Sequence, residues 1–308
     1  MSPSHLSEPL LQVSGLTKTY GAFKAVDDLS FSVFPGDVFG FLGQNGAGKS
    51  TTIRMLLTLI RPDAGQIRVF GMDLQRHRRE VLSKVGAVIE KPDLYGYLTG
   101  MENLSLFARM SGRRIDRKVL TETMELVGLS TRGGDKVRTY SQGMKQRLGI
   151  ACALVHDPEL IILDEPTNGL DPQGIADIRN LILSLSRERG KTFLISSHLL
   201  SEIELMANRM VIIDRGKKVV EGNVRELVDP QDRVVHLETE DDTTALIKIR
   251  RSAWADRLVE DKAPELVMKL SSEEIPDLVA FLVAEGIRLL SLRPVNRLEE
   301  YFLSLTHA

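Results

Sequence analysis

Short apolar runs that end in Gly, Asp or Ser alternate along most of the chain with stretches whose apolar residues recur at helical spacing. That alternation predicts an α/β domain with a largely parallel sheet. The clearest predicted strands are Asp37 to Leu42, Val85 to Ile89, Leu160 to Leu163, Thr192 to Ile195 and Met210 to Ile213. After "PGDVFGFLG" comes a predicted helix with Ile53, Leu56, Leu57 and Ile60 on one face. The early stretches "LLQVSGL" and "LSFSVF" alternate apolar with polar instead, and are assigned to an antiparallel flank covering one edge.

Past Gly222 the character changes, because "LVDPQDRVV" carries a proline and three charges and no further motif follows. The boundary is placed near Asp229, giving a large domain over 8–228 and a small α/β domain over 229–308. The tail predicts strands around Val234 to Leu237 and Glu265 to Leu270, and a helix from a Ser271/Glu274 capping box to Gly286. A strand "IRLLSL" and a last helix, "RLEEYFLSLT", with Leu298, Tyr301, Phe302 and Leu305 on one face, complete it.

With 43% apolar and 27% charged residues among 308, the chain has the makings of an ordinary buried core. Forty basic against 42 acidic residues lack the positive field of a nucleic-acid protein, so no nucleic-acid partner is expected. Cys152 is the only cysteine and sits in an apolar stretch, which predicts a buried, inert thiol. The start, "MSPSHLSEPLLQV", does not read as a signal peptide, and no run approaches the roughly 20 apolar residues that span a bilayer. Any action on a membrane is therefore expected to go through a partner.

Gly43-Gln44-Asn45-Gly46-Ala47-Gly48-Lys49-Ser50 fits the phosphate-loop pattern, with a predicted strand before it and a helix after it. Its glycines let successive backbone N–H groups curl around a polyphosphate, Lys49 would reach the β and γ phosphates, and Ser50 would hold Mg²⁺. Thr51 follows in the same first helical turn and is grouped with the nucleotide-binding residues. "LIILDEP" is an apolar strand ending in two carboxylates: Asp164 would assist Mg²⁺ through water, and Glu165, on the other side of the pleat, would take a proton from the attacking water. "TYSQGMKQRLG" supplies a second helix start capped by Ser141.

Taken together, these residues resemble the nucleotide-binding subunits of ATP-binding cassette (ABC) transporters over roughly 10–228. Ser141-Gln142-Gly143-Met144-Lys145 is similar to a variant of that family's signature, and "LIILDEP", "NGLD" ending at Asp171, and "ISSHLL" with His198 follow in the family's order. The resemblance implies a P-loop NTPase core with a helical signature subdomain at about 92–157, binding ATP and Mg²⁺. It implies an ATPase whose copies, or a copy and a related ATPase, pair head to tail, with Ser141, Gln142 and Gly143 acting in trans and Asp171 registering the halves. It also implies that Tyr20 stacks on adenine and that His198 contacts the γ phosphate and the attacking water. The ending "RLEEYFLSLT" resembles that of ATPases of bacterial drug, antibiotic-resistance and polysaccharide exporters.

The family mostly has glutamine where this chain has Glu90. Glutamate there resembles the ATPases of bacitracin-type resistance exporters, and implies a third metal-site residue beside Ser50 and Asp164. The implied activity is an exporter motor, peripheral on the cytoplasmic face of the inner membrane, driving multi-span permease subunits that dock near residues 91–110. The alternative is a soluble ATPase of the same family acting on ribosomes or nucleic acid, which usually has two cassettes or a coiled-coil insertion that this chain lacks. A phosphate-loop kinase would need an acceptor pocket and an arginine-rich lid, and neither is found.

Overall fold

Alternation at the start of the chain produces a hairpin in which β1 (Leu11–Tyr20) pairs antiparallel with β2 (Phe23–Val33) and buries Leu11, Val13 and Leu16. Leu11 and Val13 keep a period of two, but Leu16 breaks it. A register shift at Gly15, whose φ is 60°, turns Leu16 back to the inner face. The computed structural model describes residues 8–228, 233–260, 266–271 and 273–296. The chain divides after Asn223 into two compact units.

In the first unit, β3 (Val38–Leu42) leads into α1 (Lys49–Leu56), and β4 (Ala64–Val69) with β5 (Met72–Asp73) extends the hairpin into a sheet of order β2-β1-β4-β5. After α2 (Arg78–Leu82) and β6 (Val85–Val88), three helices form an insertion: α3 (Gly100–Met110), α4 (Arg117–Leu126) and α5 (Gln142–Leu154). Then follow β7 (Leu160–Asp164), α6 (Pro172–Arg189), β8 (Thr192–Ser197), α7 (Leu200–Met206), β9 (Arg209–Asp214) and β10 (Lys217–Asn223). The main sheet has the order β10-β9-β3-β8-β7-β6 and is parallel apart from β10.

Continuous apolar strands are what this sheet needs, because both of its faces are covered. Ile161, Leu163, Phe193 and Ile195 face the helical layer, whereas Phe39, Phe41, Leu160, Ile162 and Leu194 face the antiparallel flank. Cys152 of α5 lies in the helical core, where burial pushes its thiol up to about 12 and leaves it an unreactive packing group. Asn103, fully buried on α3, accepts from Tyr95 N–H at 2.8 Å and donates to Tyr95 O at 3.0 Å. It thereby ties the loop after β6 to the helical layer.

Helix α1 is shorter than its apolar pattern predicts. It stops at Leu56, Thr58 turns left-handed with φ 57°, and Leu59 N–H closes onto Arg54 O at 2.8 Å, so Ile60 packs from beyond the helix.

The second unit opens with α8 (Val224–Leu227). It continues as β11 (Arg233–Thr239), α9 (Asp242–Arg250), β12 (Leu258–Glu260), β13 (Leu266–Lys269), α10 (Ile275–Ala284) and β14 (Leu289–Asn296). With strand order β12-β13-β11-β14, all antiparallel, this is a βαββαβ fold of the ferredoxin-like type. Val235, Leu237, Leu266 and Met268 pack with Ile249, Leu278 and Leu282 of the helices. Helix α9 and strand β12 are absent from the sequence prediction. The predicted capping box is also corrected: Glu274 is itself the N-cap of α10, and its carboxylate accepts from Ser271 N–H at 2.9 Å and from Ser271 Oγ at 3.0 Å. The predicted last helix, "RLEEYFLSLT", lies outside the described residues.

Candidate nucleotide site

The phosphate loop leaves the carboxyl end of β3, a strand inside the sheet, flanked by β8 and β9. Strand ends at such a position open a crevice for ligands in α/β sheets. Both neighbours hold the loop: Gly43 N–H donates to Ser197 O at 3.3 Å, and Gly216 N–H, from the β9–β10 turn, donates to Ala47 O at 2.9 Å. Gly48 caps α1 in a left-handed conformation with φ 106°, and a Cβ there would lie 2.5 Å from Ala25 O. Gln44 is half-buried and Asn45 and Gly46 are exposed, while Ser50 and Thr51 are half-buried in the first turn of α1.

Lys49 is 5% exposed, and its ammonium is fully engaged. Nζ donates to Gly43 O at 2.7 Å and Gln44 O at 3.3 Å, and lies 3.2 Å from Glu165 Oε1. Glu165 Oε2 lies 2.8 Å from His198 Nδ1, which donates to it because an ionised carboxylate only accepts. One carboxylate thus links the phosphate-loop lysine to the histidine after β8. Glu165 does not reach this place by the pleat of β7, as the sequence prediction has it. The strand ends at Asp164, and Glu165 sits beyond it with φ 50°, in a conformation that few non-glycine residues adopt.

Asp164 is buried, and Ser196 Oγ donates to its Oδ1 at 2.5 Å. Its Oδ2 is buried with no hydrogen-bond partner among the described residues. A buried carboxylate oxygen without a donor is costly, and a hydrated cation in front of it would supply what it lacks. Among the described residues no three His, Cys, Asp or Glu side chains converge as a metal cage. That suits Mg²⁺, which is commonly held by one or two protein groups together with substrate phosphates and water. The residues present fit such an ion, which Ser50 and Asp164 would hold.

Glu90 has a different partner. It lies beyond the end of β6 with φ 57°, and its Oε1 is 2.5 Å from Arg54 Nη2 on α1. Tyr20 ends β1, is 47% exposed as a residue and has the Lys18 ammonium 5.5 Å from its ring centroid. Ser141 caps α5 through a 3.2 Å bond from Met144 N–H, and Asp171 caps α6 through a 3.0 Å bond from Gly174 N–H. Gln142 Nε2 donates to Asn168 O at 3.3 Å. Signature and "NGLD" stretch therefore adjoin, while no hydrogen bond ties Ser141, Gln142 or Gly143 to the phosphate loop among the described residues.

Two side chains that organise the site escape the sequence reading. Ser196 ties the Asp164 carboxylate to the backbone of Glu165, donating to Asp164 Oδ1 and accepting from Glu165 N–H at 2.9 Å. Adjacent hydroxyls at the end of the apolar run "TFLISS" are the signal for it, since neighbouring strand residues face opposite ways: Ser197 Oγ turns to Glu202 at 2.9 Å. Arg54 has no such signal, because an arginine on a helix after a phosphate loop looks like a solvated cation.

A family profile described as ABC transporter matches residues 26–168. The bacitracin transport ATP-binding protein BcrA of Bacillus licheniformis is 50% identical over 212 residues, 69% of this chain and 69% of that protein. Nod factor export ATP-binding protein I of Ralstonia nicotianae is 36% identical over 309 residues, covering 97% of this chain and 94% of the relative. Among solved structures, the dimeric post-hydrolysis state of the cassette MJ0796 bound to ADP and Pi superposes with a TM-score of 0.64 at 25% identity. That match covers 70% of this chain and 99% of the other.

Proposed function

Since the chain belongs to the ABC transporter family and is an ATP-binding subunit that hydrolyses ATP, we propose that it is the motor of an exporter and works as a head-to-tail pair around two nucleotides. The observation that carries the hydrolytic part of this reading is the Lys49–Glu165–His198 chain beside the orphaned Asp164 oxygen, at the mouth of the phosphate loop. Backbone N–H groups of the loop beyond Gly43 cradle the phosphates, and Tyr20 stacks on the adenine. Mg²⁺ held by Ser50 and Asp164 would neutralise charge on the phosphates. When phosphate oxygens take over Lys49, Glu165 Oε1 loses its cation and becomes free to accept a proton from the attacking water. The bond from His198 Nδ1 orients the imidazole toward the γ phosphate.

In this reading Ser141, Gln142 and Gly143 complete the site of the opposite subunit and Asp171 registers the two, either in a homodimer or with a related ATPase. The helix start at Ser141 is available for that role, being capped within its own chain and bonded to the "NGLD" stretch instead of to its own phosphate loop. On size-exclusion chromatography with ATP, the Glu165→Gln protein is expected to run as a dimer, and the Ser141→Arg, Glu165→Gln double variant as a monomer that still binds ATP. A Glu165→Gln protein that holds ATP and stays monomeric would refute the pairing.

Export is inferred from relatives named for bacitracin transport and Nod factor export. Among the described residues no helix is long and apolar enough to cross a membrane, so separate permease subunits would carry the substrate and hold this one at the cytoplasmic face. Their docking place is a groove of about 470 Å³ between the segment after β6 and helices α3 and α5, with Lys91, Pro92, Leu94, Phe107 and Met110 on its walls. Met110 is 70% exposed, and Tyr97, three residues past Leu94 in the chain, is 68% exposed. Placing a charge there, as in Tyr97→Glu or Met110→Glu, is expected to weaken docking roughly tenfold. Transport by membrane vesicles should fall while basal phosphate release stays within about twofold; unchanged transport would move the docking site elsewhere.

A further inference from the structure

Glu90 brings a negative charge to a strand end, and the side chain that meets this charge is Arg54, with Nη2 2.5 Å from Oε1. Arg54 lies on α1 one turn beyond Ser50, and helical side chains lean toward the N-terminus, so the guanidinium rises toward the first turn where Ser50 sits. Strand β6 pairs in parallel with β7, with Val88 opposite Leu163. Extending that register brings Glu90 to the end of the sheet that carries Asp164 and Glu165. The carboxylate is thus beside the phosphate-loop helix while bonded to a cation of that helix.

We propose that Arg54 is a positioning residue: it holds the Glu90 carboxylate in the metal-free state, and binding of Mg²⁺ with ATP requires Glu90 to exchange this guanidinium for the metal. This rests on the nucleotide site proposed above, with Glu90 as the third metal-site residue that the family resemblance implies, and what it adds is the restraint by Arg54. A carboxylate at this position can pair with a cation in either state, Arg54 in one and the metal in the other, whereas a neutral amide offers no charge to either. The side chains of the pair are 41% and 62% exposed. Exposed ion pairs are weak enough for a ligand to break. Lys91 and Pro92 follow Glu90 directly, and Pro92 abuts Gly149 of α5, so the exchange acts on the wall of the docking groove.

The test reads metal affinity without turnover. In the Glu165→Gln protein with ATP present, Mn²⁺ is titrated as the probe and free Mn²⁺ is followed by electron paramagnetic resonance. Arg54→Gln is expected to tighten Mn²⁺ binding about three- to fivefold, the size of releasing an exposed ion pair, and Arg54→Lys to stay near the parent. Glu90→Gln should weaken binding, and adding Arg54→Gln to Glu90→Gln should then change nothing, because the carboxylate that Arg54 restrains is gone. An equal effect of Arg54→Gln in both backgrounds would reveal simple charge repulsion and overturn the proposal. Mn²⁺ uptake insensitive to both substitutions overturns it alone, whereas a parent that takes up no Mn²⁺ with ATP sinks the nucleotide-site reading and the proposal together.

Discussion

Replacing Glu165 by glutamine is expected to lower ATP turnover by about a thousandfold, within the range that a positioned general base contributes, while ATP remains bound. The side chain does two things that an amide cannot do together. Its Oε1 is an anion 3.2 Å from the Lys49 ammonium, and its Oε2 accepts from His198 Nδ1 at 2.8 Å. Gln keeps the shape and one acceptor oxygen, but it removes the proton acceptor and presents an NH₂ to either the lysine or the imidazole. Lys49 keeps its bonds to Gly43 O and Gln44 O, so the loop should survive and nucleotide affinity should change little. Single-turnover phosphate release, compared with equilibrium ATP binding, separates the two quantities. Glu90→Gln is the contrast: substantial hydrolysis should remain, with the coupling to transport altered. A Glu165→Gln protein with turnover within tenfold of the parent, beside an inactive Glu90→Gln, would reassign the base.

The second large effect is expected from Gly48→Ala, for a reason that is geometric and not chemical. At φ 106° an alanine is strained, and its Cβ would stand 2.5 Å from Ala25 O, a backbone atom that cannot swing aside. Strain of this kind costs about 1–3 kcal/mol, and a domain of this size loses roughly 2–4 °C of Tm per kcal/mol. Relief requires moving the loop, which misaims its N–H groups. Losing two charge-assisted bonds to phosphate weakens ATP binding by about a hundredfold or more. Gly46→Ala is the internal control. Its φ is also positive, at 85°, but a Cβ there meets nothing within 4 Å, so it should lose stability without the same clash. Thermal unfolding with and without ATP distinguishes the two, and a Gly48→Ala protein that keeps its full ligand-induced rise in Tm would contradict the proposed cradle.

Much of the catalytic unit was legible along the chain because its informative features are local. A strand buried on both faces must be apolar throughout, and β3, β7, β8 and β9 read as continuous apolar runs placed to within a residue or two. The second unit was less legible. Helix α9 carries Thr243, Thr244, Leu246, Ile247 and Ile249, β-branched or nearly alternating residues that do not advertise a helix, and only Ala245 and Ile249 are fully buried by the sheet. Strand β12 has three residues, too few to show any period.

The sequence by itself determined the order of motifs and the parallel sheet with its antiparallel flank, and it nominated the proposed chemical groups, Lys49, Asp164 and Glu165 through residue type and spacing and His198 through the family resemblance. Tertiary structure decided which of them touch. Glu165 faces Lys49 and His198 because the chain turns left-handed after β7, and Asp164 keeps a bare oxygen because Ser196 satisfies only the other. Glu90 meets Arg54 because the β6–β7 pairing carries it to the phosphate-loop helix. Such contacts join residues far apart in the chain, and neither propensity nor periodicity carries that information.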